Sequence, residues 1–228
     1  MSKVSVIIPA LNEEEAIERV VRAVPHEQLK GMGYDVEVVV VDNGSEDRTG
    51  ELAREAGAKV VFEPARGYGR AYKTGFGSAQ GDIIATADAD MTYPMEDIPK
   101  LLKLLLDENL DFVTTDRFAD MDGDAMTLRN KIGNGILNVT TRLLFRLDLR
   151  DSQSGMWLFR REVLGPLVLK SDGMPFSEEL KIEAFHFARC RWREVPINYR
   201  ARQGSVKLRA WKDGTYNFLY LLRKRVVR

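Results

Sequence analysis

The chain has 228 residues, 44% of them apolar and 30% charged, which is the composition of a globular protein with its own core and the size of one domain with a small appendage at most. Lys plus Arg equal Asp plus Glu at 34 each, so net charge is zero and nothing in it points to a nucleic-acid partner. The single cysteine, Cys190, excludes an internal disulfide framework and a cysteine zinc cluster; it fits packing in a reducing compartment.

Val4 to Ile8 reads as the first strand, its apolar run too short for a signal peptide. Pro9-Ala-Leu-Asn-Glu13 follows. A helix is expected over 13–24, with Asn12 as its N-cap and Glu13 to Glu15 suiting its first turn. Val36 to Val41 is a second buried strand. It ends on Asp42-Asn-Gly-Ser-Glu-Asp47, a turn cluster leading into a helix to about Ala56. Lys59 to Phe62 is a short third strand. Glu63-Pro-Ala-Arg-Gly67-Tyr-Gly69-Arg70 is a loop before a helix to about Ala79. Ile83 to Ala87 is a fourth strand, uncharged, and it ends on two carboxylates, Asp88 and Asp90. Strands alternating with helices predict a parallel α/β sheet.

In the second half, a leucine-rich helix over 96–106 precedes a strand over 112–115 that ends on Asp116-Arg117. Asp120-Met-Asp-Gly-Asp124 lacks the glutamate of a calcium loop and reads as a solvated turn. A helix over 127–146 carries Ile132, Ile136, Leu137, Val139, Leu143 and Leu144 on an apolar face. A strand over 154–159, a helix over 176–188, a strand over 193–199 and a basic loop, Arg200 to Lys207, complete this part. No run of about 18 apolar residues is present, so no membrane span is expected. From Lys207 to Arg228 there are seven basic residues and one acid. That end suits either an anionic membrane surface or a docked helix with cations in its last turn.

Ligands of open α/β sheets bind outside the carboxyl ends of strands. Three such ends here carry polar groups: Leu11 to Glu13, Asp42 to Ser45, and Asp88 to Asp90. Carboxylates are hard oxygen ligands suited to magnesium or manganese, ions that commonly also hold a substrate phosphate. An acidic turn is the plain alternative for an isolated Asp-x-Asp. Asp42 is placed to accept hydrogen bonds from a base or ribose.

The order Val-Ile-Ile-Pro9-Ala-Leu-Asn12-Glu13, Val-Val-Asp42-Asn-Gly-Ser-x-Asp-x-Thr49, Arg66-Gly-Tyr-Gly69, Asp88-Ala-Asp90 resembles glycosyltransferase family 2, inverting enzymes of the GT-A fold. Asp151-Ser-Gln-Ser-Gly155-Met-Trp, Val195-Pro-Ile-Asn-Tyr199 and Arg202-Gln-Gly-Ser-Val-Lys207 look like the dolichyl-phosphate sugar transferases, which load one mannose, glucose or N-acetylhexosamine from a nucleotide sugar onto a polyprenyl phosphate. The resemblance implies a Rossmann-like, mostly parallel sheet forming one catalytic domain over 1–207. Its nucleotide half would be about 1–116 and its acceptor half 117–207, with 208–228 as a basic, partly apolar segment. It implies that Pro9, Leu11, Asn12, Glu13, Asp42, Ala89 and Ser205 hold the donor and that Gly67 and Gly69 admit its close approach. Asp88 and Asp90 would ligate Mn2+ or Mg2+, with Asp90 the main ligand and Thr92 standing where mannose enzymes carry Gln. Arg202 and Lys207 would steady the leaving diphosphate, and Arg117, Arg129 and Asn134 would face the acceptor phosphate. Implied partners are a UDP- or GDP-hexose, a polyprenyl phosphate, and a membrane surface or membrane protein. The implied location is peripheral, on the cytoplasmic face of a membrane.

An anionic phosphate acceptor needs no general base; relatives with hydroxyl acceptors do, and Glu178 or Glu179 sits where they place it. The other reading of these two is first-turn acids of a helix. His26 and His186 lie outside every motif and read as solvated or packed. Three rivals differ in kind. Asp88-Ala-Asp-Met-Thr92 fits an Asp-x-Asp-x-Thr phosphatase, but it falls on the fourth strand and not the first. A nucleotidyltransferase would want a lysine-bearing glycine loop after the first strand. A non-catalytic member would bind donor without turnover.

Overall fold

The computed structural model describes residues 2–123, 125–205 and 210–227. The first part of the chain contributes β1 (Ser2–Ala10), α1 (Ile17–Arg22), α2 (His26–Gly31), β2 (Tyr34–Asp42), α3 (Thr49–Glu55), β3 (Lys59–Phe62), α4 (Tyr68–Ser78) and β4 (Ile83–Thr86). After it come α5 (Ile98–Asp107), β5 (Phe112–Met121), α6 (Leu128–Phe145), β6 (Trp157–Arg160), α7 (Phe176–Lys181), β7 (Trp192–Tyr199) and α8 (Ala210–Val226). A π-helix, Ile182–Phe187, continues α7.

Valine and isoleucine runs make the central strands, because β-branched side chains fit a pleated surface and these strands are covered on both faces. Along β1, Val4, Val6 and Ile8 join one core cluster and Ile7 the other, as the two-residue period requires. The sheet has seven strands in the order β3-β2-β1-β4-β6-β5-β7. It is parallel except where β6 runs antiparallel between β4 and β5. One face packs on α1, α3 and α5 through aliphatic side chains. The other is rich in aromatics: Tyr72 of α4 lies 5.7 Å from the ring of Phe176 and 5.1 Å from that of Trp157.

The structure departs from the sequence reading at several points. Asn12 does not cap α1: it has φ +53°, its Oδ1 accepts from Glu46 N at 2.8 Å, and α1 starts at Ile17 with no side-chain cap. The helix α2 carries one buried side chain, Leu29, which is too little periodicity to read. β5 runs six residues past Thr115 because β7 pairs alongside it, across an irregularity between Asp116 and Asp120. The C-terminal basic stretch contains a docked helix: Leu221 is fully buried, and Lys224 reaches Glu183 at 2.6 Å and Glu179 at 3.4 Å.

Candidate active site

The register Ala10↔Asp42 and Ile7↔Thr86 brings the ends of β1, β2 and β4 to one edge of the sheet. Hydrogen bonds then lace the loops that leave it. Asn12 N donates to Ser45 Oγ at 3.0 Å and Glu13 N to Thr49 Oγ1 at 2.8 Å. Asp42 Oδ1 accepts from Ser45 N at 2.9 Å. Pro9, Leu11 and Asp42 stay half-buried at this edge.

Asp90 is 3% exposed. Its Oδ1 accepts from the backbone N and the hydroxyl of Thr92, at 3.1 and 2.6 Å, so Thr92, itself buried, fixes the orientation of Asp90. That differs from the ligand position expected for Thr92, since its hydroxyl is turned onto Asp90. Asp90 Oδ2 pairs with Arg202 Nη1 at 2.9 Å, and the same guanidinium contacts Glu13. The loop bearing Arg202 lies on the site through Gln203 N to Asp90 O and Arg200 N to Thr92 O, both at 3.0 Å. A cleft of about 210 Å³ opens beside it, lined by residues that include Asn12, Glu13, Gly204 and Ser205.

Asp88 is half-buried, with Tyr68 Oη 3.3 Å from its Oδ1. Burial and the nearby charge of Asp90 push its carboxyl up to about 7. Burial and the charge of Asp88 likewise raise Tyr68 well above the ordinary tyrosine range. Ala89 between the two acids is buried. Among the described residues no three His, Cys, Asp or Glu side chains converge on a metal position. The donor set still fits a hard divalent ion: two carboxylates one residue apart offer oxygen ligands at one strand end, and such ions draw their remaining ligands from phosphate and water.

The glycines of the Arg66-Gly-Tyr-Gly69 motif are needed by the protein itself. A Cβ on Gly67 would lie 2.3 Å from Asp172 O, and one on Gly69 2.5 Å from Ser171 O and 2.8 Å from Phe176 Cβ. At both glycines the Cβ direction is taken by the segment around Ser171, Asp172 and Phe176.

Arg117 is also held from within. Its Nε and Nη2 donate to Asp151 at 2.6 and 2.9 Å, and its side chain is 10% exposed. Burial opposes ionisation of Asp151, yet Arg117 holds that carboxyl below its usual range. The charge of Arg117 is also felt at Asp88. Arg129 is exposed on the first turn of α6, and Asn134 Nδ2 contacts Met126 Sδ at 3.3 Å. Glu179 accepts from the backbone of Lys170 and Ser171 and from Tyr220 Oη, at 3.0, 2.7 and 2.5 Å. Glu178 is bound by Gln153 at 2.7 Å, and burial raises it well above the usual carboxylate range. Both glutamates are fully buried. Lys207 lies outside the described residues.

Several residues of the site escaped the sequence reading. Tyr93 Oη accepts from Gly155 N at 2.7 Å, while Thr86 Oγ1 donates to Gly155 O at 2.8 Å. A Cβ on Gly155 would lie 2.6 Å from Tyr68 Oη. Asn43 ties the glycine loop down, accepting from Gly67 N at 2.7 Å and donating to Glu63 O and Ala65 O. Their signal was adjacency: Tyr68 sits between the motif glycines, and Tyr93 follows Thr92.

A mostly parallel sheet with an acid pair at the end of its fourth strand, closed by a basic loop, defines a GT-A glycosyltransferase. Residues 5–167 match the model of glycosyl transferase family 2, and the chain belongs to that family. It is 34% identical to the dolichyl-phosphate hexose transferase of Haloferax volcanii, over 92% of this chain and 88% of that protein. It is 35% identical to the low-salt glycan biosynthesis hexosyltransferase Agl6 of the same organism, over 96% of this chain, but spans only 52% of that relative's length. Among solved structures, glucosyl-3-phosphoglycerate synthase from Mycobacterium tuberculosis, in complex with Mn2+, UDP and glucosyl-3-phosphoglycerate, has a TM-score of 0.76 at 25% identity, covering 98% of this chain and 80% of that one.

Proposed function

We propose that this glycosyltransferase moves one hexose from a nucleoside diphosphate sugar to a polyprenyl phosphate, with inversion at the anomeric carbon. The observation that carries the proposal is the Asp88/Asp90 pair at the end of β4 with Arg202 against it. The similarity to a dolichyl-phosphate hexose transferase supports the acceptor class.

Asp88 and Asp90 would hold Mg2+ or Mn2+, which supplies charge neutralisation to a departing diphosphate. Arg202 adds a guanidinium on the same side, a strong donor toward phosphate oxygens. Thr92 keeps Asp90 oriented. The edge formed by Pro9, Leu11, Asn12, Glu13 and Asp42 would receive the nucleoside, with Ser205 on the covering loop. Attack comes from the face opposite the diphosphate, so configuration inverts. An acceptor phosphate is already anionic at neutral pH, and positioning then carries the reaction. Burial of both Glu178 and Glu179 supports this over a hydroxyl acceptor, which would need an accessible base.

Calorimetry with UDP and GDP, each with and without Mn2+, tests the reading. One nucleotide should bind in a metal-dependent manner, and Asp90→Ala should remove that binding while thermal unfolding stays cooperative. Normal donor binding and turnover by Asp90→Ala would overturn the site.

A further inference from the structure

The helix α6 is amphipathic in an unusual sense: its most apolar side faces outward. Leu128, Ile132, Ile136, Val139 and Leu143 are all exposed, the two end residues at 74% and 75%. At 3.6 residues per turn these five fall within an arc of about 80°. The opposite side carries the buried residues Leu137, Asn138, Thr141 and Phe145. The stripe is therefore not a core face left slightly open. The helix already has its core face, and this is a second one.

The charge pattern around the stripe is one-sided. Between Leu128 and Phe145 there is no acid, and the three cations, Arg129, Lys131 and Arg142, fall on the two borders of the apolar arc. Arg142 forms a long, exposed ion pair with Asp148 beyond the helix end, at 3.7 Å. The helix α8 packs against α6 and adds exposed Leu219, Leu222 and Val226, with Arg223 and Arg225 exposed among them. Arg223 and Arg225 belong to a last turn whose third cation, Lys224, is buried on Glu179 and Glu183.

We propose that the outer face of α6, continued by α8, docks on an anionic lipid bilayer, with the Leu128–Leu143 stripe in the acyl boundary and the bordering cations at the headgroups. An apolar face bordered by Lys and Arg is the arrangement by which helices lie in a membrane interface. A second copy of the chain fits less well, because pairing α6 on α6 about a two-fold axis would set Lys131 of each helix against Arg142 of the other. Docking through α6 would hold the site beside the surface from which a lipid-borne acceptor comes. That last link rests on the proposed function; the docking itself does not.

The test is sedimentation of the full chain with vesicles of phosphatidylcholine alone and of phosphatidylcholine with phosphatidylglycerol, neither containing a polyprenyl phosphate. The protein should bind the anionic vesicles, and less so as salt rises. The triple variant Ile132→Ser, Ile136→Ser, Leu143→Ser should lose about tenfold or more in partitioning. It should keep the far-ultraviolet spectrum and nucleotide binding of the parent. Leu143→Ser alone and Arg129→Glu, both at exposed positions, should each show a smaller loss. No binding of the parent chain to anionic vesicles would overturn the proposal. So would equal binding by the triple variant, or a parent dimer in solution that the triple variant splits. Nucleotide binding by the same samples reports on the transferase reading separately, so the two can fail independently.

Discussion

Arg117–Asp151 and Arg202–Asp90 are the same chemical pair in two settings. In the first, the aspartate is fully buried, the arginine side chain is 10% exposed, and two parallel hydrogen bonds join them. In the second, the arginine side chain is 27% exposed and its charge is shared between Asp90 and Glu13. The buried pair is further enclosed by Tyr199, whose ring centre lies 5.4 Å from the guanidinium carbon. The other pair lies at a sheet edge under a loop held by a few backbone hydrogen bonds. A buried ion pair binds the fold together because neither member can be left alone, whereas one whose arginine is partly exposed can turn that guanidinium toward a ligand.

The largest effect expected from this contrast is on stability. Asp151→Ala should cost about 3–5 kcal/mol, since it strands a buried guanidinium. Chemical denaturation measures this; a loss under about 1 kcal/mol would mean that Arg117 finds water and that the pair is not structural. Next, Arg202→Ala should lower turnover by about 10²–10³-fold, the usual cost of removing one donor to a developing negative charge. Its unfolding midpoint should fall by clearly less than that of Asp151→Ala, because the Arg202 side chain is itself partly exposed and water can reach the acids it leaves. If Arg202→Ala instead unfolds and Asp151→Ala only slows turnover, the assignment of the two pairs is reversed.

The smallest effect concerns pH. The folded-state carboxyl of Asp88 sits at about 7, above its ordinary value of 3.8. Between those values the folded state binds more protons than the unfolded one, so this group's contribution to stability is present at low pH and is lost as pH rises through 7. Metal binding needs the ionised form. Metal-dependent nucleotide affinity should therefore fall by up to about tenfold per unit below pH 7. Titration calorimetry at several pH values checks the slope; a flat profile between about pH 5 and 7 would place Asp88 away from the metal.

Much of the first half of the chain was legible from local pattern. Valine runs ending in Asn, Asp and Gly identify strands and the turns that end them, and parallel strands place those ends together. The two leucine-rich helices show where this reasoning stops. In α5, Ile98, Leu101, Leu102 and Leu105 are buried against the sheet. In α6, four of the six residues read as its apolar face, Ile132, Ile136, Val139 and Leu143, are exposed. Periodicity gives the face, but only the neighbours decide which face is covered. Glu179 shows the same limit: it reads as a first-turn acid or a base, yet it gathers two backbone amides and Tyr220 from α8.

By itself, then, the sequence determined the succession of strands and helices and the acids and amides at the strand ends, because period and turn chemistry act over a few neighbouring residues. The tertiary structure decided which arginine is committed to the fold, why Gly67 and Gly69 have no side chains, and which stripe of α6 is left bare. Arg202 meets Glu13 across 189 positions of chain, and Gly67 meets Asp172 from a segment also remote in sequence. Contacts of that range arise from the closing of the sheet edge and its loops, which no short segment encodes.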